Sequence, residues 1–480
     1  MPVNYISLKD QVITLGENAK IRQAEYERRL AQCREILAAH DQDLITLQRR
    51  VEEAVAQNKG LRCAVPVLDP LSTRVPAHLP APACTILAAD GSQINPDAHD
   101  EVLFGLINIG IFRILPGSGE VPREEIHTSL LYDEQLHPGS GLATDDLVAL
   151  LRDVYERQQL ASAARGEAKP LITLTDGQLE LYHQPRDDAL SRQLFEAYRD
   201  SLNDLAVNEV ITAGYVSRPR ANLVVNLLEL VTPETSQSDE HPFAGVTDMA
   251  LLEGLLAPTE RSAIFRLQSS SSDSYDGRKA LHFFYLNVGT DERPAFARVE
   301  FPLWVAENPA SVAALQSVLV EQSRHSGSYP YPYPLLRAHE IAVVKMPDRQ
   351  QVTTFAPDPP SSSGNGRPSS PMAAACLSVS QGTRSFSSPP PWTGSAWGRP
   401  PGSTPETICH QLLFMRPRSA YGSSPRGSTT WTSSTTTASA ARPGSAPASG
   451  RWSQVEAPAT AASSSPISCA TPMPRSSTST

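Results

Sequence analysis

Two apolar runs of the sequence end in the same dipeptide, an aspartate followed by a glycine. Asp90 closes the run that begins at Cys84, and Asp176 closes the run that begins at Leu171. Asp-Gly is common turn chemistry, so either occurrence alone is explained by a turn at the end of a strand. If the two runs are neighbouring strands of one sheet, however, the two dipeptides would place two carboxylates side by side, and the glycines would allow tight backbone turns beside them.

Two carboxylates at close range repel each other, and a divalent cation is the natural compensation. Ligands that are all oxygen atoms favour Mg²⁺ or Mn²⁺. Such ions ionise a water molecule and stabilise both oxygens of an in-line phosphoryl displacement. The sequence therefore predicts a metal site for phosphoryl chemistry at Asp90 and Asp176.

The order of the surrounding elements predicts that the two aspartates meet. Residues 83–230 are expected to run strand, strand, strand, helix, strand, helix, strand, with Asp90 on the first strand and Asp176 after the fourth. This order is typical of the ribonuclease-H-like architecture, in which the first and fourth strands are neighbours. The predicted fold class is α/β, a ribonuclease-H-like mixed sheet flanked by helices. The five strands are expected at Thr85–Asp90, Glu101–Leu115, Glu125–Tyr132, Leu171–Thr175 and Asn208–Ser217.

The predicted helix between the two aspartates contains a third candidate ligand, Glu156. This helix has Thr144 as its N-cap and a stripe of leucines on one face. On the helical wheel, Glu156 lies almost opposite that stripe, where a solvated glutamate is expected. The pattern alone therefore gives Glu156 little support as a ligand.

Residues 17–57 are expected to form one long helix whose heptad seam runs from Tyr26 to Ala54. One polar residue, His40, interrupts the seam and is better explained as setting the register than as a ligand. The seam should pair with the same element of a second subunit or with a helix of the body. Five prolines between Pro66 and Pro82 then predict the end of this coiled-coil arm and a linker.

The composition of the chain changes near residue 354. From Phe355 onward there are nine arginines, three acidic residues and no lysine, a formal charge of +6, which leaves −16 on residues 1–354. Without a lasting hydrophobic period, this low-complexity tail is expected to be disordered. A shifted reading frame and a genuine disordered tail both explain it. Three domains are predicted: an arm at 1–65, a nuclease-type body at 66–354 and a tail at 355–480. Within the body, the core is expected at about 83–230 and a strand-rich and helical remainder at 231–354.

Composition and missing motifs narrow the function. The acidic body argues against a broad nonspecific grip on nucleic acid, because phosphate contacts need lysine and arginine. There is no P-loop, and Ser92 lacks the G-x-S-x-G elbow of hydrolases. Six scattered cysteines without a C-x-x-C pair indicate a reducing cytoplasm, with neither a zinc site nor a disulfide framework. With no signal peptide and no apolar run long enough to span a membrane, a cytoplasmic protein that does not enter the membrane is expected.

Four segments together resemble the NurA nuclease family: LAADGSQINPDAH, ITLTDGQLELY, ITAGYVSRPR and SYPYPYPLLRAHEIAVV. The resemblance extends over about residues 10–354. It implies a ribonuclease-H-like core, a homodimer, and nuclease activity that depends on two Mn²⁺ or Mg²⁺ ions. It also implies endonuclease activity on single-stranded DNA and 5′–3′ exonuclease activity. The implied partner is a hexameric HerA-type ATPase, in DNA end resection and double-strand-break repair.

The resemblance also assigns site residues by position. Asp90 and Asp176 correspond to the two metal-binding aspartates of the family, and Glu156 corresponds to its helix glutamate. His339 corresponds to the histidine after the Tyr-Pro repeat, which would ligate a metal ion or shuttle a proton. A packed histidine before a strand EIAVV is the plainer explanation of His339.

Two further assignments leave alternatives open. Tyr331 corresponds to the tyrosine of the family, but three successive Tyr-Pro pairs leave the register open between Tyr329, Tyr331 and Tyr333. Arg218, in YVSRPR, would hold a substrate phosphate, and a plain surface arginine is an equally good explanation.

The end of the chain departs from the family pattern. Family members continue past the AH strand with ordered helical sequence, whereas the tail of this chain begins about fifteen residues after His339. Partner or dimer contacts made there by the family are therefore open for this chain. Two other functions fit the same residues: a non-catalytic ribonuclease-H-like adaptor that docks on a DNA translocase, and a metal phosphatase for small phosphoesters.

Overall fold

The computed structural model describes residues 5–99, 102–137, 143–181, 189–232, 241–327 and 329–355. These residues belong to one compact unit. From residue 356 onward, the predicted tail lies outside the described residues. No helix in these ranges is both long and apolar enough to cross a lipid bilayer.

The described strands form a single eleven-stranded sheet. They are β1 (Cys63–Pro66), β2 (Val75–Pro76), β3 (Thr85–Ile94), β4 (Gly105–Ile114), β5 (Arg123–Leu131), β6 (Leu171–Asp176), β7 (Ile211–Ser217), β8 (Glu260–Arg261), β9 (Phe265–Gln268), β10 (Leu281–Asn287) and β11 (Phe296–Pro302). The α-helices in the described ranges are α1 (Tyr5–Glu17), α2 (Ala19–Ala39), α3 (Leu44–Gln57), α4 (Asp145–Ala164), α5 (Ala189–Val207), α6 (Leu223–Glu229), α7 (Asp248–Leu252), α8 (Leu303–Ala306), α9 (Pro309–Ser323), α10 (Tyr333–Ala342) and α11 (Met346–Phe355).

Five strands from the middle of the chain form the part of the sheet that contains the two aspartates. Their order across the sheet is β5-β4-β3-β6-β7. β3, β4 and β5 pair antiparallel, whereas β3, β6 and β7 pair parallel. Among these five, the first and fourth strands of the chain are therefore neighbours, and the predicted ribonuclease-H-like fold is confirmed.

The same sheet continues beyond β7 through β11, β10, β9 and β1, all paired antiparallel. The strands of the region 231–354 therefore extend the ribonuclease-H-like sheet. β1 lies at the far edge of the sheet and contains residues on both sides of the predicted boundary at residue 65. The division of the chain into an arm and a body at this residue stays a prediction.

Helices α4 and α10 cover opposite faces of the sheet at β3 and β4. A Cβ atom at Gly91 would lie 2.7 Å from a side-chain atom of α4, whereas one at Gly110 would lie 2.7 Å from the backbone of α10. Gly110 pairs with Asp90, the neighbour of Gly91, so the two glycines face opposite sides of the sheet. Burial on both faces also explains why the run Leu171–Thr175 of β6 is fully buried.

The long helix predicted for residues 17–57 is wrong, because the chain bends between α2 and α3. Asp41 fixes the bend: its carbonyl oxygen accepts from Leu71 N over 3.1 Å, and its Oδ1 accepts from Ser72 N over 2.6 Å. His40 is the C-cap residue of α2. The seam packs on α6, α7 and β1, which makes the body its partner in this chain.

Two of the five prolines expected in a linker after the arm lie in strands instead. Pro66 and Pro76 end two short strands, β1 and β2, which pair with β9 and β8. Proline is tolerated at such positions because an edge strand does not need every backbone N–H.

The strand predicted for EIAVV is wrong, because its first three residues belong to a helix. α10 begins at Tyr333 and has Pro334 in its first turn, where the missing N–H of proline costs no hydrogen bond. It reaches Ala342, so His339 lies on a helix that packs on the sheet. β11 ends at Pro302, and α8 begins at the next residue, Leu303.

Candidate active site

Asp90 and Asp176 lie at equivalent positions on neighbouring parallel strands. The last registered pair between β3 and β6 is Ala89 with Thr175, and each aspartate is the next residue of its strand. Their side chains therefore point to the same face of the sheet, on strands about 4.8 Å apart. The structure thus brings together the two carboxylates that the sequence singles out.

The two Asp-Gly dipeptides differ in backbone geometry. After Asp176 the chain turns at Gly177, which has φ +91°. After Asp90, however, β3 continues in pairing with β4, so the expected turn there is wrong. Gly91 is required for a different reason: a Cβ atom at this position would lie 2.7 Å from Cγ of Arg152 on α4.

His339 reaches Asp90 from helix α10. Its Nδ1 donates to Oδ2 of Asp90 over 2.7 Å. A carboxylate can only accept, so Nδ1 has the proton. The helix can approach the strand this closely because the partner of Asp90 in β4 is Gly110, where a Cβ atom would collide with Ala338 O and Ala342 N.

The three tyrosines of the Tyr-Pro repeat make three different contacts. Tyr331 is buried, and its hydroxyl group acts on Asp176, where it lowers the pKa of the carboxyl group. Tyr329 Oη lies 2.9 Å from Ser217 Oγ at the end of β7. Tyr333 packs edge-on against a ring of β4, with centroids 5.8 Å apart. Tyr331 is therefore the tyrosine that the fold places beside the aspartate.

Glu156 is buried, with 9% of its surface exposed. The expectation of a solvated glutamate is therefore wrong. Its helix α4 packs on both the sheet and α5, so more than the leucine stripe of the helix has protein neighbours. Although α4 covers the face of the sheet opposite α10, the negative charge of Asp90 acts on Glu156.

Burial and negative charge dominate the electrostatics of this site. Burial raises the pKa of Glu156, and the charge of Asp90 raises it further. The protein groups packed around Asp176 desolvate its carboxyl group, and this desolvation and the charge of Asp90 raise its pKa, whereas the hydroxyl group of Tyr331 lowers it. The side chain nevertheless stays accessible to water at the end of its strand, and water screens part of the repulsion from Asp90. The hydrogen bond with Asp90 raises the pKa of His339.

The turn after Asp176 is held by buried groups. Leu179 N donates to Oε2 of the buried Glu300 over 2.9 Å. The turn also crosses β7 closely, since a Cβ atom at Gly214 would lie 2.6 Å from the carbonyl oxygen of Gly177. These contacts fix the position of Asp176 from its C-terminal side.

Arg218 lies at the same edge of the sheet but is not in contact with the carboxylates. It follows β7, three residues after Tyr215, the partner of Asp176. Its exposed guanidinium stacks on the ring of Tyr329, 4.1 Å from the centroid. Its φ of +48° is uncommon for a residue with a side chain.

The donor set fits a divalent cation. The carboxylates of Asp90, Glu156 and Asp176 and the imidazole of His339 are ligands that Mn²⁺ and Mg²⁺ accept. The charge repulsion among the carboxylates is what such an ion would offset. Within the described residues, no group of three or more His, Cys, Asp and Glu side chains is arranged closely enough to hold an ion. The chemistry fits, and the complete ligand geometry is not formed in this structure.

Three residues around the site are absent from the sequence-based assignment. Arg152 lies one turn before Glu156 and interacts with its charge, a spacing of four that the sequence shows. Gly110 is a glycine inside a strand, which often marks a close backbone approach. Arg157 is buried, and nothing in the sequence indicates this.

The sequence model of the NurA domain matches residues 84–344. The chain belongs to the NurA family. The resemblance found in the four sequence segments is confirmed, and this NurA protein is an enzyme of the nuclease class, a phosphodiester hydrolase. No curated protein matches the chain.

Several solved structures are similar to this NurA family member. The NurA nuclease from Sulfolobus solfataricus is 12% identical, with a TM-score of 0.40 and coverage of 74% of this chain and 96% of that chain. The catalytic domain of human endonuclease V is 13% identical, with a TM-score of 0.28 and coverage of 65% and 97%. Endonuclease V of Ciona intestinalis, solved with an inosine-containing DNA, is 12% identical, with a TM-score of 0.26 and coverage of 64% and 100%. Similarity at this level does not extend the substrates of those proteins to this chain.

Proposed function

We propose that this NurA protein is a DNA nuclease that depends on two Mn²⁺ or Mg²⁺ ions held by Asp90, Glu156, Asp176 and His339. The observation that supports this most is the register of β3 and β6, which puts Asp90 and Asp176 side by side on one face. When bound, the ions would activate a water molecule and stabilise the developing charge on the phosphate.

The residues of the chain have separate tasks in this proposal. His339 holds Asp90 through Nδ1, so Nε2 is the ring atom left to ligate a metal ion or to exchange a proton with a reacting oxygen. Tyr331 holds the carboxylate of Asp176 in place through its hydroxyl group. Arg218 binds a phosphate of the substrate, its exposed guanidinium being supported by Tyr329.

The proposed substrates are single-stranded DNA, cut internally, and 5′ ends, degraded in the 5′–3′ direction. The proposed setting is DNA end resection in double-strand-break repair with a HerA-type ATPase. Family membership supports both. The charge of −16 on residues 1–354 also favours a partner that delivers the DNA over capture by a basic surface.

We further propose that the protein is a homodimer and that it is located in the cytoplasm. The family resemblance supports the dimer, and light scattering of the full chain tests it. The cytoplasmic location is supported by three free, buried cysteines, Cys33, Cys63 and Cys84.

The test uses the purified full chain and single-stranded oligonucleotides labelled at the 5′ or 3′ end. The wild type should cut with Mn²⁺ and stop when the metal is chelated. D90A and D176A should lose this activity, whereas D200A, an exposed aspartate on α5, should keep it. Cleavage by D90A or D176A at the wild-type rate would refute the proposal. Cleavage of a small chromogenic ester but not of DNA would identify a metal phosphatase instead.

A further inference from the structure

Arg157 is a buried cation that contacts the elements of the candidate site from behind. It follows Glu156 in α4 and is 3% exposed. Its Nη2 donates to Oγ1 of Thr175, the residue before Asp176, over 2.9 Å. Its Nη1 lies 3.4 Å from Oγ1 of Thr212 on β7. One guanidinium therefore joins the helix of the glutamate to the strand of the aspartate and to the next strand.

Tyr198 of α5 extends this contact to the other side of Asp176. The guanidinium lies over the Tyr198 ring, 5.5 Å from its centroid, and its charge acts on the hydroxyl group of this residue. Tyr198 Oη in turn donates to the carbonyl oxygen of Leu179 over 2.7 Å, in the turn after Asp176. The contacts of Arg157 consequently reach the backbone on both sides of that aspartate.

The charge of Arg157 has no ion-pair partner among the described residues, and its Nε has no hydrogen-bond partner there. A buried, unpaired charge is costly, so a structure that only needed packing would favour an apolar side chain. The residue before Arg157 in α4 is Glu156, and the positive charge of Arg157 favours the ionised form of its carboxyl group. Glu156 is therefore the carboxylate of the site on which the charge of Arg157 acts.

We propose that Arg157 is a positioning residue of the metal site. It fixes Glu156 relative to Asp176 through the hydrogen bond with Thr175, and its permanent charge offsets the charge of Glu156 before a cation binds. This inference rests on the proposed function, because it assumes that the carboxylates hold a divalent cation.

The test measures Mn²⁺ affinity by calorimetry on the full chain without DNA, together with the melting temperature of the metal-free protein. R157M should weaken Mn²⁺ binding by about 10- to 100-fold, the usual effect of removing a group that orients metal ligands. R157K, which keeps the charge but not the fork geometry, should show a smaller loss. The matched control is R165M, since Arg165 ends the same helix and pairs with Asp204 at the surface.

T175V separates the hydrogen bond from the charge, because valine has the shape of threonine without its acceptor. T175V should also weaken Mn²⁺ binding, and its effect should not add to that of R157M if both act through the same contact. If R157M does not fold, the Mn²⁺ affinities of T175V and R157K decide whether Arg157 positions the metal site.

The outcomes distinguish the inference from the proposed function. If R157M, or R157K and T175V in its place, bind Mn²⁺ as tightly as the wild type and lose only melting temperature, Arg157 is a packing residue and the inference is overturned. If the wild type itself does not bind Mn²⁺, the proposed function fails and the inference fails with it.

Discussion

His339 and Asp90 are joined by a 2.7 Å hydrogen bond across 249 positions of sequence. Gly110 makes this bond possible, because it is the partner of Asp90 in the sheet and leaves room for the backbone of α10. A glycine in one strand thus sets the distance between a helix and a carboxylate on the next strand. The site depends on this close packing as much as on its charged residues.

G110A tests this packing. The added methyl group would lie 2.7 Å from Ala338 O and Ala342 N, so α10 must move away from β4. We expect a loss of about 1–3 kcal/mol in the free energy of unfolding and a loss of nuclease activity. Urea denaturation and oligonucleotide cleavage measure the two effects. The control is G16A, where no atom lies within 4 Å of the new methyl group; a G110A protein as active and as stable as G16A would contradict the packing argument.

The Tyr-Pro repeat provides three matched substitutions. Y331F removes the hydroxyl group that acts on Asp176, so its turnover should fall by about tenfold or more. Y333F should remain close to the wild type, because only the ring of Tyr333 is in the contact with β4. Y329F keeps the ring under Arg218 and should keep its turnover as well. A loss of turnover in Y333F or Y329F, with Y331F unaffected, would show that the tyrosine register is wrong.

H339N and H339A separate the two roles of the histidine. Asparagine can still donate to Asp90 in place of Nδ1, but it has no equivalent of Nε2 that exchanges a proton. If Nε2 of His339 transfers a proton or ligates a metal ion, both variants should lose about 10²- to 10⁴-fold in kcat. H325N, which alters an exposed histidine, is the control. Wild-type kcat in H339N would show that His339 only positions Asp90.

Asp248 predicts a pH dependence of stability that is separate from the candidate site. Its carboxylate accepts from Val224 N and Val225 N at the start of α6, at 3.0 and 2.9 Å. Burial nevertheless raises the pKa of Asp248 to about 6. Because the folded-state pKa lies above the unfolded value, the folded protein binds the proton more tightly. This contribution to stability is complete below about pH 4 and is lost as the pH rises through about 6.

The measurement compares urea unfolding of the wild type and D248N at several pH values between 4 and 7. The difference in the free energy of unfolding should decrease by up to about 1.4 kcal/mol per pH unit in this range. D273N, a substitution at an exposed aspartate, should show no such trend. A difference between wild type and D248N that is constant with pH would contradict the raised pKa of Asp248.

The order of elements in the sequence is sufficient to predict the strand order and the meeting of Asp90 with Asp176. Both depend on chain order and hydrophobic patterning, which a single sequence displays. The turn predicted after Asp90 is wrong because β3 continues through Gly91 in pairing with β4. The glycine instead leaves room for the side chain of Arg152 on α4, a residue that is distant in sequence. The same reason explains Glu156: a helical wheel shows one buried stripe, but α4 has neighbours on two sides.

The C-terminal part of the site was harder to predict for a similar reason. EIAVV has the composition of a strand, and its helical state depends on the proline in the first turn of α10 and on the space above Gly110. The burial of Arg157 has no local signal at all. Its partners, Thr175, Thr212 and Tyr198, become neighbours only when the sheet and two helices assemble.

The most direct test of a shared cation site is a calorimetric titration of Mn²⁺ into the wild type, D90N, D176N and the double variant, with D200N as the control. We predict that the wild type and D200N bind Mn²⁺, that each single substitution weakens binding by tenfold or more, and that the double variant loses less than the sum of the two. Wild-type affinity in D90N or D176N, or fully independent losses in the double variant, would contradict a site that the two aspartates share.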